Sequence, residues 1–215
     1  MFKFLRSPLL FILSIPLLSL LYVLLNHSHH TVHVLVTPLD QSIPFIQAFI
    51  LPYMLWMPFL YGTFVLLFFQ NRRLYYRTLV SYNLSVWISY VVYYNFQTMV
   101  PRPQLTDHGL LSHFIQFVYT HDAPYNCFPS IHVMSSYLIF IAIQHTSITV
   151  KWLKYPMSII SWSIIFSTLF IKQHVVWDVV SGIALAQITY LLSSYFPLFI
   201  NAAAKKLSKN GKLTA

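Results

Sequence analysis

His174 and Asp178 stand four residues apart near the start of a long apolar run, a spacing that puts both side chains on one face of a helix. A carboxylate so placed can accept the Nδ1 proton of the imidazole, fix its tautomer and turn the Nε2 lone pair outward as a nucleophile or base. The alternative for the pair taken alone, a structural polar link between helices, is the less favoured reading. A second histidine, His132, follows Pro129-Ser130-Ile131. Ser130 is suited to cap the helix that starts there, whose first N–H groups would attract an anion, although a serine by itself is only a cap. Arg102 carries a rigid fork of donors for a phosphate and Lys172 a point charge, unless either merely reaches from an apolar segment to the interface. Two cations, two histidines, one carboxylate and a helix N-terminus are the parts that phosphoryl transfer without a metal requires. No cluster of carboxylates suited to magnesium is present, so neither a metal nor a cofactor is expected.

These residues need elements that bring them together. The chain is 57% hydrophobic and 8% charged, against about 25% charged in an average soluble domain, too little charge to cover a water-soluble fold. A bilayer core of about 30 Å takes roughly 20 apolar residues per helical crossing. Six runs meet that need, at about 4–25, 43–69, 78–100, 130–144, 153–171 and 175–196, the fourth being the shortest. The expected fold is all-α, a polytopic membrane bundle of six transmembrane helices. Residues 1–200 form a single domain and 201–215 a basic cytoplasmic tail. The first run is read as a retained span rather than a cleaved signal peptide, because no small-residue cleavage site precedes Asn26. Pro52 and Pro58 are expected to kink the second span, since membrane helices tolerate proline where neighbours satisfy the freed carbonyl.

The position of the charge orients the bundle. The formal net charge is +9, which on one soluble patch would point to nucleic acid. Instead, Lys3, Arg6, Arg72, Arg73, Arg77, Lys151, Lys154, Lys205, Lys206, Lys209 and Lys212 all fall on one side of a six-span arrangement. The positive-inside rule makes that side the cytoplasm and places both termini there, with anionic lipid and not nucleic acid as the partner. Only Arg102 and Lys172 carry positive charge on the other side, where all four acids, Asp40, Asp107, Asp122 and Asp178, also lie. Because odd spans leave the cytoplasm and even spans return, Arg102, His132, His174 and Asp178 share one depth at the outer leaflet. Ionisable groups within a membrane are costly and are therefore functional candidates.

The remaining features carry less. Cys127 is the single cysteine, so no intrachain disulfide forms. His27, His29, His30 and His33 cluster in the first outer loop, but histidines without a partnering Cys or Glu are weak evidence for a metal. In the second outer loop, residues 110–119 could form a short helix lying on the bilayer, or simply a packed loop.

Three blocks resemble the type 2 phosphatidic acid phosphatase superfamily of membrane lipid phosphatases and phosphotransferases. Arg102-Pro103 is similar to the end of its first block, Pro129-Ser130-Ile131-His132 to its Pro-Ser-Gly-His block, and Ser167, His174 and Asp178 to its third. Asn95, Ile131 and Thr168 stand where the family has Lys, Gly and Arg, and Lys172 could restore one cation. The forms Cys-Phe-Pro-Ser-Ile-His and Ser-Thr-Leu-Phe-Ile-Lys-Gln-His are similar to the branch that includes inositol phosphorylceramide synthase-like transferases. The resemblance implies a six-helix core in which His174 attacks phosphorus, Asp178 orients it and His132 protonates the leaving lipid oxygen. Arg102, Lys172 and the amides near Ser130 would hold the phosphate oxygens. It implies a metal-independent lipid phosphatase of the plasma membrane, acting on a phosphatidate-like lipid or a polyprenyl diphosphate with its site away from the cytoplasm. A head-group phosphotransferase, or a non-catalytic membrane protein with an eroded motif, are the alternatives.

Overall fold

Each of the six apolar runs contains a helix. The computed structural model describes residues 8–27, 31–145 and 151–195; the 201–215 tail, Lys3, Arg6, His29 and His30 lie outside them. Helix α1 (Ser14–Leu25) continues a tighter turn at Pro8–Leu13. The second run gives α3 (Ile50–Met54) and α4 (Trp56–Gln70), with the boundary at Leu55, between Pro52 and Pro58. The last four helices of the bundle are α5 (Arg72–Asn95), α7 (Ile131–Gln144), α8 (Lys154–Phe170) and α9 (Val176–Leu192). The stretch Gln47–Gln70 is long and apolar enough by itself to cross a membrane, while Leu9–Leu25, Ile131–Gln144 and Val176–Leu192 are apolar but shorter. Apart from one pair of two-residue strands, the described residues are all-α.

That strand pair corrects one boundary. The third run does not stay helical to Val100: α5 ends at Asn95, and β2 (Thr98–Met99) pairs in parallel with β1 (His33–Val34). The pairing takes up backbone groups that a longer helix would have used, and His33 stacks on Phe96 with ring centroids 4.4 Å apart. The loop between the first two apolar runs also holds α2 (Pro38–Ser42), a short helix with a reciprocal cap in which the Asp40 carboxylate accepts from the Thr37 N–H at 2.8 Å. Between the third and fourth runs, residues 110–119 fall within α6 (Leu110–His121). It buries Ser112 and Ile115 and leaves Leu110 and Phe117 exposed.

Small residues let α5, α7 and α9 approach closely. Ser81, Ser85 and Ser89 recur every fourth residue along α5 and are fully buried; Ser85 shares a 2.7 Å hydrogen bond with Thr189 of α9. Where α9 crosses the start of α7, Gly182 is so close that a Cβ would lie 2.9 Å from the Ser130 carbonyl oxygen. The outward faces are apolar: Leu17 and Leu20 on α1, Trp87 and Val91 on α5, Ile159 on α8 and Ile188 on α9 are all exposed.

Candidate functional site

The turn after α8 delivers the catalytic candidates. The Lys172 N–H donates to the Leu169 carbonyl at 3.1 Å and that of Gln173 to Thr168 at 2.9 Å, the paired bonds of a Schellman cap. Lys172 takes the left-handed position at φ 54°, where glycine is usual, at a cost of about 1–3 kcal/mol. His174 comes next, and its Nδ1 lies 3.2 Å from Asp178 Oδ2, which also accepts from the Val175 N–H at 3.0 Å. A carboxylate only accepts, so Nδ1 carries the proton and Nε2 of the neutral ring keeps its lone pair. Asp178 is fully buried, and its Oδ1 has no hydrogen-bond partner.

His132 faces His174 from the first turn of α7, with ring centroids 5.7 Å apart. Ser130 caps that helix by accepting from Val133 N–H at 3.2 Å, and its own N–H donates to the Asp178 carbonyl at 3.2 Å. This backbone bond, together with Gly182, locks the two histidine-bearing helix starts together. The ring of His132 is held by two aromatics. Its Nε2 is 3.0 Å from the Tyr53 hydroxyl, and the Trp56 ring lies 4.0 Å away, fixed by an indole N–H donating to Ser135 at 2.7 Å.

The two cations are occupied by the protein itself. Arg102 Nη1 donates to the Tyr119 carbonyl at 2.9 Å, and Nη2 to the Asp122 carbonyl at 2.7 Å and to Gln173 Oε1 at 2.6 Å. Its Nε is buried and unpartnered. Lys172 Nζ donates to the carbonyls of Asp40 and Ile43 at 2.9 and 2.5 Å, and burial pulls its pKa down against the opposing Asp40 carboxylate. Lys172 therefore clips the α8–α9 turn to α2. Asp40 completes that clip, its Oδ1 accepting from the Val176 N–H at 2.7 Å at the start of α9. The structure thus brings His132, His174, Asp178, Ser130 and Arg102 to one end of the bundle, with Lys172 turned onto backbone carbonyls beside them.

The family model described as the PAP2 superfamily matches residues 20–192, a range holding every residue above. The chain belongs to the PAP2 superfamily. Neither the curated proteins nor the solved structures give a match. PAP2 membership supports phosphatase-type activity on phosphate esters and, with the apolar helix Gln47–Gln70, association with a membrane.

In this PAP2 protein a cavity of about 530 Å³ opens beside the histidines, lined by Tyr82, Val86, Tyr90 and Tyr93 along one face of α5 and by Tyr22, Tyr53 and Asp122. Eleven residues of helix separate Tyr82 from Tyr93, so the cavity runs about 16 Å into the bundle. His174 lines this cavity and a second one of about 460 Å³ on the side of Arg102 and Lys172. Asp122 accepts from the Tyr22 hydroxyl and from Asn26 Nδ2, both at 3.0 Å. Burial pushes its carboxyl up from the ordinary value, with the Tyr22 hydrogen bond and the Arg102 charge opposing. One donor atom each from Cys127, His174 and Asp178 lies within 4.8 Å of the others, the one cluster among the described residues that could meet a metal. Burial, and then the Asp178 charge, push the Cys127 thiol up, opposing the thiolate that a metal needs.

Sequence reasoning missed Tyr53, Trp56, Asp40, Asp122, Gln173 and Gly182. Asp40 had a readable signal in Thr37-Pro38-Leu39-Asp40, a helix-start pattern with proline at the first position. The aromatics had none, because Tyr53 and Trp56 sit in an apolar run among residues of the same kind.

Proposed function

We propose that this protein is a membrane lipid phosphatase that removes phosphate from a lipid phosphate or diphosphate through a phosphohistidine on His174. The observation that carries the reading is the facing pair of imidazoles, one with its Nδ1 proton held by the buried Asp178 and both on the wall of a deep apolar cavity. His174 Nε2 attacks phosphorus, the N–P bond forms, the bond from phosphorus to the lipid oxygen breaks, and that oxygen takes its proton from His132. Water then attacks the phosphohistidine as His132 accepts its proton, the N–P bond breaks, and inorganic phosphate leaves. The N–H groups at the start of α7 and the Arg102 charge stabilise the oxygens as charge spreads.

The chain crosses the bilayer six times, with both termini cytoplasmic and the site at the outer face of the plasma membrane. The apolar outward faces of the helices support this arrangement, as does the separation of charge. The first two turns of α5, at the end of the bundle away from the histidines, carry Arg72, Arg73 and Arg77. Arg77 there donates to the Tyr190 carbonyl at 2.9 Å near the end of α9.

A second reading, a lipid head-group phosphotransferase, draws support from the size of the cavity and from Asp122, a carboxylate on its wall that could receive an acceptor hydroxyl. Phosphate release by detergent-purified protein from a panel of lipid phosphates and diphosphates in EDTA, with His174→Ala alongside, tests the first reading. Release by wild type that disappears in the variant supports the phosphatase. Turnover that starts only when an acceptor alcohol is added supports the transferase, and a strict need for a divalent metal contradicts both.

A further inference from the structure

Three polar atoms around His174 are buried without a partner: Arg102 Nε, Gln173 Nε2 and Asp178 Oδ1. Two of them are donors, and they belong to side chains already joined by the 2.6 Å bond from Arg102 Nη2 to Gln173 Oε1. A guanidinium only donates, so that bond fixes which end of the Gln173 amide is oxygen and leaves its NH2 group as the unpaired end. Gln173 is 4% exposed, lines the large cavity, and is the residue immediately before His174. Buried donors in native proteins are almost always paired. Gln173 lies on the wall of the first cavity and Arg102 on the wall of the second, and His174 lines both, so an oxygen-rich group seated at His174 is placed to meet one orphan donor from each side.

The charge around them sharpens the case. Of the two cations at this end of the bundle among the described residues, Lys172 spends its ammonium on the Asp40 and Ile43 carbonyls. Thr168 turns its hydroxyl back to the Ile165 carbonyl at 2.7 Å. That leaves the amide of Gln173 as the neutral donor adjoining the one charged fork.

We propose that Gln173 is a phosphoryl-contacting residue: its NH2 group donates to a phosphate oxygen while its carbonyl oxygen holds Arg102, so that Arg102 Nε donates to a second oxygen of the same group. The inference rests on the phosphoryl-transfer reading of the site and adds to it a role for a residue that lies within the third block but to which the resemblance assigned none. The two halves of the amide have separate duties, and this makes the role testable. In Gln173→Glu the acceptor for Arg102 is kept, the donor is lost and a negative charge is added.

The experiment uses the full chain purified in detergent, with orthovanadate as the phosphoryl mimic and lipid phosphate as substrate. For Gln173→Glu, kcat/KM falls by about 100-fold or more at neutral pH, the scale of losing one preorganised donor, and the vanadate inhibition constant rises at least about tenfold. The ratio of variant to wild-type activity climbs as pH falls, because a protonated glutamate regains a donor. If Gln173 served only to hold Arg102, the glutamate would hold it as well, and wild-type turnover and vanadate inhibition would overturn the proposal. Gln173→Met, uncharged and close in shape, removes the donor without adding charge: wild-type vanadate affinity in this variant overturns the proposal, and weakened affinity in both variants, which share only the loss of the donor, with an unchanged melting temperature supports it. Wild-type protein that neither releases phosphate nor binds vanadate would overturn the underlying reading, an outcome distinct from a wild type that does both while the variants match it.

Discussion

Gly182→Ala tests the helix crossing on which the histidine pair depends. The new Cβ would lie 2.9 Å from the Ser130 carbonyl oxygen, 3.2 Å from the Met134 nitrogen and 3.2 Å from Val133 Cβ. Two of these atoms are backbone of α7, so no side chain can rotate away, and the helices must part by a few tenths of an ångström. Overpacking of this kind costs about 1–3 kcal/mol, against a gain of about 1 kcal/mol for alanine over glycine within a helix. The net destabilisation is about 0–2 kcal/mol, a fall of a few degrees in melting temperature. Function suffers more. The contact sits at Ser130, two residues from His132, and the Ser130 N–H is bonded to the Asp178 carbonyl. A displacement of about 1 Å can cost 10²-fold in rate, so these smaller shifts should lower turnover by about tenfold or more. Phosphate release and thermal unfolding of the same preparation decide it. A variant with wild-type turnover would refute the argument that this crossing sets the site.

Asp178→Asn replaces an acceptor with an amide that can donate to His174 Nδ1, moving the ring proton to Nε2 and removing the nucleophilic lone pair. Turnover should fall on the order of 10⁴-fold, as in comparable His–Asp pairs, and thermal stability should fall slightly, because the oxygen replaced also accepts from the Val175 N–H and that bond, about 0.5–1.5 kcal/mol, is lost. Tyr53→Phe keeps the ring against His132 and deletes the hydroxyl 3.0 Å from its Nε2. Loss of one hydrogen bond of about 0.5–1.5 kcal/mol predicts up to about a tenfold fall in kcat and a shifted limb in its pH profile; an unchanged profile counts against this contact. Asp122 has a carboxyl raised above 3.8 in the folded protein. The folded state therefore holds that proton more tightly than the unfolded chain, and the associated stability is complete below 3.8 and lost as pH rises through the folded value. Asp122→Asn should therefore melt above wild type near neutrality, with the difference closing under acid conditions; equal melting at both ends would contradict the raised carboxyl.

The parts of this protein that repeat with a simple period were legible in its sequence. Apolar runs gave the helices, and the four-residue interval from His174 to Asp178 gave a contact that the structure draws at 3.2 Å. Ser130 as an N-cap followed from residue type and position. Contacts between distant segments were not legible. Nothing local indicates that Asp40 would reach the start of α9, 136 residues later, or that Lys172 would settle on the carbonyls of α2 and Ile43 instead of facing the site. The end of α5 was misplaced for the same reason, since its stop is set by β1, more than sixty residues earlier. Tyr53 and Trp56 were hidden by composition: in an apolar run, an aromatic packed on the His132 ring looks the same as any other.

The central claim is that phosphorus passes through His174. Brief exposure of the purified protein to a radiolabelled lipid phosphate, an alkaline quench that preserves the N–P bond, and peptide mapping would locate the covalent adduct. The account predicts label on the peptide carrying His174 and none in His174→Ala. Label on Ser130, on Cys127 or on no peptide during active turnover would contradict it.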